Sequence, residues 1–322
     1  MRISVVTACR NSAGTVGATL ESVAAQRVDG FEVEHLAVDG LSSDGTVGIL
    51  EAFAAAHPGF SFVSEADRGL YDAINKGIAR ATGDVVGILN SDDVFDGEDA
   101  LAAVAGAFAD ASVDAVYADI RFVNDDGSTR RYYSGRGWRP WMARWGYMMP
   151  HPSVYIRREV FARLGGYRTD FRISADFELM VRYFVKARLK TRYLDRSLVK
   201  MRPGGISTSG WRANVRLNRE NVRALADNGI RSSFAMMLPK YAYKALGYLR
   251  GRVLRDSGVR ARIGTSCLLF ALLAAVSAFR VSAKDFDVRD FGAKGDAPPT
   301  NCRGFIFDAT TEASWQAVSA AR

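Results

Sequence analysis

The chain has 322 residues, 48% apolar and 24% charged, which excludes a disordered protein and allows one large domain with appendages. Its net charge of +8 conceals a division: residues 1–120 carry 6 Lys/Arg against 19 Asp/Glu, and residues 121–262 carry 31 against 10. The acidic part suits a cation and the basic part suits phosphates or an anionic membrane; with no recognition helix, zinc finger or RNP-like motif, nucleic acid is not an expected partner.

The chain opens directly on a strand-like run, RISVVTAC (2–9), with no secretory signal before it. The loop Arg10-Asn11-Ser12 leads to a helix over Thr15–Gln26. A second strand, 33–38, ends at Asp39-Gly40, and a helix follows over 46–56. A short strand at 60–64 and a helix over 71–82 lead to the strand 85–89, which ends in Asn90-Ser91-Asp92-Asp93. Strands alternating with helices of about a dozen residues predict a Rossmann-like, mostly parallel α/β sheet. Ligands bind such sheets at the carboxyl ends of the strands, where Asp39 and the Asp92-Asp93 pair stand.

The second half is less regular. Strands are expected at 113–123, 153–156 and 191–201, and a helix over 174–187. The aromatic, basic stretch 130–149 holds Trp138, Trp141 and Trp145, for which core packing competes with stacking on a sugar or lipid. Basic amphipathic helices are expected over 211–227 and 234–255. Residues 263–279 are almost wholly apolar, short for a span of about 20 residues, and fit a signal-peptide core better. The division expected is a catalytic domain (1–210), a basic helical extension (211–258) and an apolar segment with an atypical tail (259–322). Cys9, Cys267 and Cys302 show neither metal spacing nor a disulfide framework, so a reduced, cytoplasmic setting is expected.

Three carboxylates stand where chemistry needs them. An Asp-Asp pair after a buried strand can hold a hard cation, or it can be a solvated acidic turn. Asp39 can accept a hydrogen bond from a base or ribose, or serve the turn before Gly40. Asp176, at a helix start in ISADFELMVRYF, can act as a general base or as a charge favoured by the helix dipole.

Six ordered blocks, among them VDGLSSDGT, SEADRGLYDAINKGIARATGD, GILNSDD and SADFELMVRYF, resemble the family-two inverting glycosyltransferases of the GT-A fold over about residues 1–230. Bacterial enzymes that build exopolysaccharide or colanic-acid-like units are the most similar type. The resemblance implies a nucleotide-diphosphate sugar donor, a glycan or lipid-linked acceptor, and Mn²⁺ or Mg²⁺. It implies Asp176 as catalytic base and Asp93 as metal ligand. Arg10, Asn11, Asp39, Lys76 and Asp92 would contact the nucleotide sugar, and His151 and Trp141 the acceptor. The family's common second aspartate after the second strand is Gly40 here. Peripheral contact with the cytoplasmic face of an inner membrane is expected from the basic helices. The competing reading is a catalytically silent GT-A module that binds sugar or scaffolds an assembly. Separately, residues 285–296 (DFDVRDFGAKGD) resemble the start of a pectate-lyase-like β-helix, although too few residues follow for a solenoid.

Overall fold

The computed structural model describes residues 1–202 and 211–241. The apolar run 263–279, the stretch 285–296 and most of the expected 234–255 helix lie outside the described residues.

The first half alternates as the sequence predicts. Strands β1 (Arg2–Cys9), β2 (Glu32–Asp39), β3 (Phe60–Ser64) and β4 (Val85–Ile88) are interleaved with helices α1 (Val16–Ala24), α2 (Thr46–Ala56) and α3 (Leu70–Arg80). These strands pair in parallel in the order β3-β2-β1-β4. Successive side chains of a strand point to opposite faces, so a sheet covered on both sides needs apolar residues throughout. In β1, Val6 and Ala8 pack with Tyr71, Ile74 and Ile78 of α3 on one face. Ile3 and Val5 pack on the other face with Leu101, Val104 and Phe108 of α4 (Ala100–Phe108). Each large apolar side chain buried this way contributes about 1.5–3 kcal/mol.

Beyond β4 the sheet becomes mixed. It continues through β8 (Tyr155–Arg157), β6 (Ala115–Val123), β9 (Thr191–Met201) and β5 (Asp93–Phe95), with β7 (Thr129–Tyr133) paired to β6. β8 runs antiparallel to both β4 and β6, whereas β6 and β9 are parallel. β5 and β7 are strands that the sequence reading passed over. β5 has three residues and begins at Asp93, where the preceding strand seemed to end in a turn. Its pairing with β9 places Asp93 opposite Met201, so a non-local partner decides its conformation.

A short helix, α5 (Arg158–Leu164), follows β8. The expected 174–187 helix is α6 (Ala175–Met180), continued to Lys186 by a π-helical stretch. Helix α7 (Trp211–Asp227) packs on it, with Ala224 and Leu225 fully buried in the same cluster as Phe177 and Leu179. Among the described residues, no helix is long and apolar enough to cross a membrane.

Candidate active site

The carboxyl ends of β1 and β4, the start of α3 and the loop before α6 enclose a cleft of about 1880 Å³. Two loops of its floor are stitched together. Asn11 takes a left-handed conformation (φ 51°), and its Oδ1 accepts the N–H of Ser43 at 2.9 Å. The Asn11 N–H donates to Ser42 Oγ at 2.7 Å, and the Ser12 N–H to Thr46 Oγ1 at 2.8 Å. Ser12 and Ser91 share a hydroxyl contact at 2.9 Å, which ties the loop after β1 to the Asp92 turn.

The expected site residues separate into those that face the cleft and those that do not. Arg10, Asn11, Asp92, His151 and Asp176 line it. Asp39 does not: it is fully buried and accepts the Ser42 N–H at 3.0 Å, the Ser64 hydroxyl at 2.6 Å and the Ser42 hydroxyl. Lys76 is also off the cleft lining, donating to the Ala66 carbonyl and paired with Glu65 and Asp72 at 3.4 and 3.7 Å. Trp141 is 66% exposed outside the cleft lining, whereas Trp138 is core.

Asp67 reaches the cleft, and its carboxylate lies so close to Gly40 that a Cβ there would displace the aspartate side chain. Asp67 falls inside the block SEADRGLYDAINKG, so its signal was present; Asp72 of the same block also lines the cleft, and Glu65 does not.

At the end of β4 the two aspartates part company. Asp92 lines the cleft, while Asp93 is fully buried behind it. Asn90 Nδ2 donates to Asp93 Oδ2 at 2.9 Å, and Asp93 Oδ1 has no hydrogen-bond partner among the described residues. Burial, with the Asp92 charge adding to it, pushes the Asp93 carboxyl up to about 8. The described residues contain no cluster of three or more metal-ligating side chains. Asp92, with the Ser91 hydroxyl and the Asn90 amide beside it on the cleft lining, forms an all-oxygen set. That fits Mg²⁺ or Mn²⁺ arriving with phosphates, because such an ion uses one or two carboxylates and takes its other ligands from phosphate and water.

Asp176, in the first turn of α6, also lines the cleft. Burial raises its carboxyl above the usual range, while the neighbouring His151 and hydrogen bonds from backbone N–H groups pull the other way. Burial also lowers His151, whose Nε2 sits 2.7 Å from the Tyr167 hydroxyl. The loop delivering Asp176 is clamped from three helices. On α3, Asn75 grips the Tyr167 backbone and Tyr71 donates to the Ile173 carbonyl at 2.5 Å. A Cβ at Gly166 would strike the Asn75 side chain, so this close approach requires glycine. From the π-helical stretch after α6, Arg182 donates to the carbonyls of Gly165 and Gly166 at 2.9 and 2.7 Å. From α7, Glu220 accepts the N–H groups of Arg172, Ile173 and Ser174 at 3.3, 2.9 and 2.9 Å. They lie at and just before the N-cap Ser174, where the helix dipole favours a carboxylate.

Six arginines also line the cleft: Arg10, Arg68, Arg130, Arg131, Arg172 and Arg202. Arg131, Phe122 and Met201 share one rung with Asp93 across β7, β6, β9 and β5, which carries two arginine-bearing segments to the Asp92 side. Sequence reasoning missed them because they sit on β7 and just past β9, far from the motifs in the chain.

Comparison with known proteins agrees with this architecture. Residues 4–167 match the family described as Glycosyl transferase family 2. An uncharacterised glycosyltransferase of Mycobacterium tuberculosis is 33% identical over 196 residues, covering 56% of this chain and 68% of its own. A PGL/p-HBAD biosynthesis glycosyltransferase of Mycobacterium bovis is 30% identical over 204 residues, covering 59% and 73%. Among solved structures, a mannosyltransferase of Pyrobaculum calidifontis in complex with GDP-Man and Mn²⁺ aligns with a TM-score of 0.53 at 18% identity, over 86% of this chain and 81% of that one. The S. aureus TarS 1-349 complex with UDP aligns with a TM-score of 0.55 at 17% identity, over 87% and 81%. At those identities the structures speak to the fold alone, which is of the GT-A type. With the family matched over half its length, the chain belongs to glycosyl transferase family 2 and is a glycosyltransferase.

Proposed function

We propose that the enzyme transfers a sugar with inversion from a nucleotide-diphosphate donor to a hydroxyl of a glycan or lipid-linked acceptor in the building of bacterial surface polysaccharide or glycolipid. The carrying observation is that one cleft is lined both by Asp92, at the end of β4, and by Asp176, in the first turn of α6, with a carboxyl raised by burial. Its volume of about 1880 Å³ exceeds the roughly 300–1,000 Å³ of a small-ligand pocket and leaves room for donor and acceptor together. The name of the Mycobacterium bovis relative, a PGL/p-HBAD biosynthesis enzyme, supports a glycolipid acceptor class. The Pyrobaculum and TarS complexes, with GDP-Man and UDP, support a nucleotide-sugar donor.

The residues divide the work. Asp67, Arg10 and Asn11 grip the nucleoside and orient the anomeric carbon. Asp39 holds the loop that carries Ser42 and Ser43 against Asn11. Asp92 is the metal ligand, and Asp93 braces it from behind through the Asn90 turn. A divalent cation there would neutralise the diphosphate as it leaves. The cleft arginines add positive charge around the phosphates. Asp176 accepts the proton of the acceptor hydroxyl as its oxygen bonds to the anomeric carbon. The bond from that carbon to the diphosphate breaks, and its electron pair leaves with the nucleoside diphosphate. A base raised above the ordinary carboxylate range is better matched to this transfer near neutral pH. The catalytic domain extends through α7, because Glu220 caps the segment that carries Asp176.

The direct test is a panel of nucleotide sugars with Mn²⁺ or Mg²⁺ and candidate acceptors, scored by nucleoside diphosphate released and sugar transferred. Turnover of at least one donor supports the reading. Donor binding without turnover anywhere in the panel would favour the silent sugar-binding module.

A further inference from the structure

We propose that the two short turns Pro140–Trp145 and Ala235–Met237, with the residues flanking them, form a docking face for an anionic lipid bilayer. This goes beyond the catalytic reading and does not depend on any residue assigned there.

The face is apolar where a soluble surface is usually polar. Trp141 is 66% exposed, Phe234 44% and Leu238 43%. They belong to two segments that the fold fastens together. Ser232 Oγ donates to the Arg144 carbonyl at 2.7 Å, and Gly146, in a left-handed conformation, lies so close to Met237 that a Cβ would strike its sulfur. Met237 is fully buried, so the second turn is anchored through it while Phe234 and Leu238 point outward.

Lys and Arg stand beside these side chains in the sequence: residues 137–150 contain Arg139 and Arg144 and no Asp or Glu, and residues 228–241 contain Arg231 and Lys240 and likewise no Asp or Glu. Arg144 and Arg231 are exposed. Exposed Trp, Phe and Leu within a field of Lys and Arg is the composition of an interfacial membrane contact: the rings sit at headgroup depth and the cations meet anionic phosphates. The placement also suits a lipid-borne acceptor. The chain runs from Trp145 through Tyr147 and Pro150 to His151, which lines the cleft.

The test uses the full chain and vesicles of phosphatidylcholine alone or mixed with phosphatidylglycerol, read by co-sedimentation. The chain should bind the mixed vesicles, not the neutral ones, and bind less as salt is raised. The combined variant Trp141→Ala, Phe234→Ser and Leu238→Ser should bind about tenfold or more weakly with an unchanged thermal midpoint, since each removes exposed apolar surface. Should that variant fold poorly, Arg144→Glu with Arg231→Glu reverses exposed charges and should weaken binding to the same vesicles alone. Absence of binding by the parent overturns the proposal. Parent-like binding by either well-folded variant would move the contact to residues beyond 241. Dimerisation of the parent that the apolar substitutions abolish, without vesicle binding, would make the face a contact between copies instead.

Discussion

Asn75 holds the backbone of Tyr167 on both sides: its Nδ2 donates to the Tyr167 carbonyl at 2.7 Å, and its Oδ1 accepts the Tyr167 N–H at 2.8 Å. The Asn-Lys-Gly block therefore works through its asparagine, which fixes the start of the loop that delivers Asp176. Asn75→Ala leaves a donor and an acceptor of Tyr167 unpaired, a loss of about 1–3 kcal/mol per buried group. The expected outcome is a lower thermal midpoint together with slower transfer. Lys76→Ala, which removes ion pairs of little net worth, should cost far less. Equal midpoints and rates for Asn75→Ala and the parent would show that the clasp does not govern the loop.

Glu220 makes a similar prediction from the far side of the loop. It lies beyond the 4–167 span that matches the family, yet it caps three consecutive N–H groups immediately before α6. Glu220→Ala should reduce kcat while leaving donor affinity close to the parent's, because the residues proposed to contact the donor and its metal, Arg10, Asn11, Asp67 and Asp92, lie outside the segment that Glu220 caps. Glu220→Gln, which keeps an acceptor, should recover part of the loss. A Glu220→Ala enzyme impaired only in donor affinity would contradict this placement.

The two aspartates after β4 should behave differently. Asp92→Ala should abolish the metal dependence of nucleotide binding, since Asp92 is the carboxylate on the cleft wall. Asp93→Asn keeps the shape of a buried group and a partner for Asn90, so it should retain metal-dependent binding with a reduced rate. Calorimetry with a nucleoside diphosphate, with and without Mn²⁺, decides between them. Complete loss of metal dependence in Asp93→Asn with none in Asp92→Ala would return the ligand role to Asp93, the residue that the sequence resemblance nominates.

The first half of the fold was legible because its signals are local. β1 and β4 are apolar and buried along nearly their whole length, and the strand-like segments alternate with helices, so the parallel sheet was predictable from the sequence. The pieces that escaped are non-local. β5 is three residues long and exists through its pairing with β9; β7 exists through its pairing with β6. The site was legible to the level of motif but not of orientation. The GILNSDD block marks the strand end, but only the turn of the chain decides that Asp92 faces the cleft and Asp93 the core. Asp39 ends β2 as the sequence places it, and only the structure shows that Ser42 and Ser64 hydrogen-bond to its carboxylate.

The raised Asp176 carboxyl has consequences for pH. Transfer needs the ionised base, so kcat should rise with pH along a limb whose midpoint lies above the ordinary aspartate value of about 3.9. The same shift costs stability. A carboxyl whose folded-state pKa is raised contributes fully below its unfolded value, and that contribution is lost as pH rises through the folded one. Asp176→Asn should therefore be at least as stable as the parent at neutral pH. An acid limb near the ordinary value, or a destabilised Asp176→Asn, would speak against a desolvated base.

The central claim is that Asp176 is the base of a glycosyl transfer, and the Asp176→Asn enzyme tests it most directly when donor affinity and transfer rate are measured side by side. Asparagine keeps size and hydrogen-bonding capacity but cannot take the acceptor proton. General-base catalysis typically supplies about 10² to 10⁴ in rate, so transfer should fall by about that factor while calorimetric donor affinity stays near the parent's. A parent-like transfer rate in Asp176→Asn would remove Asp176 from the chemistry and contradict the account.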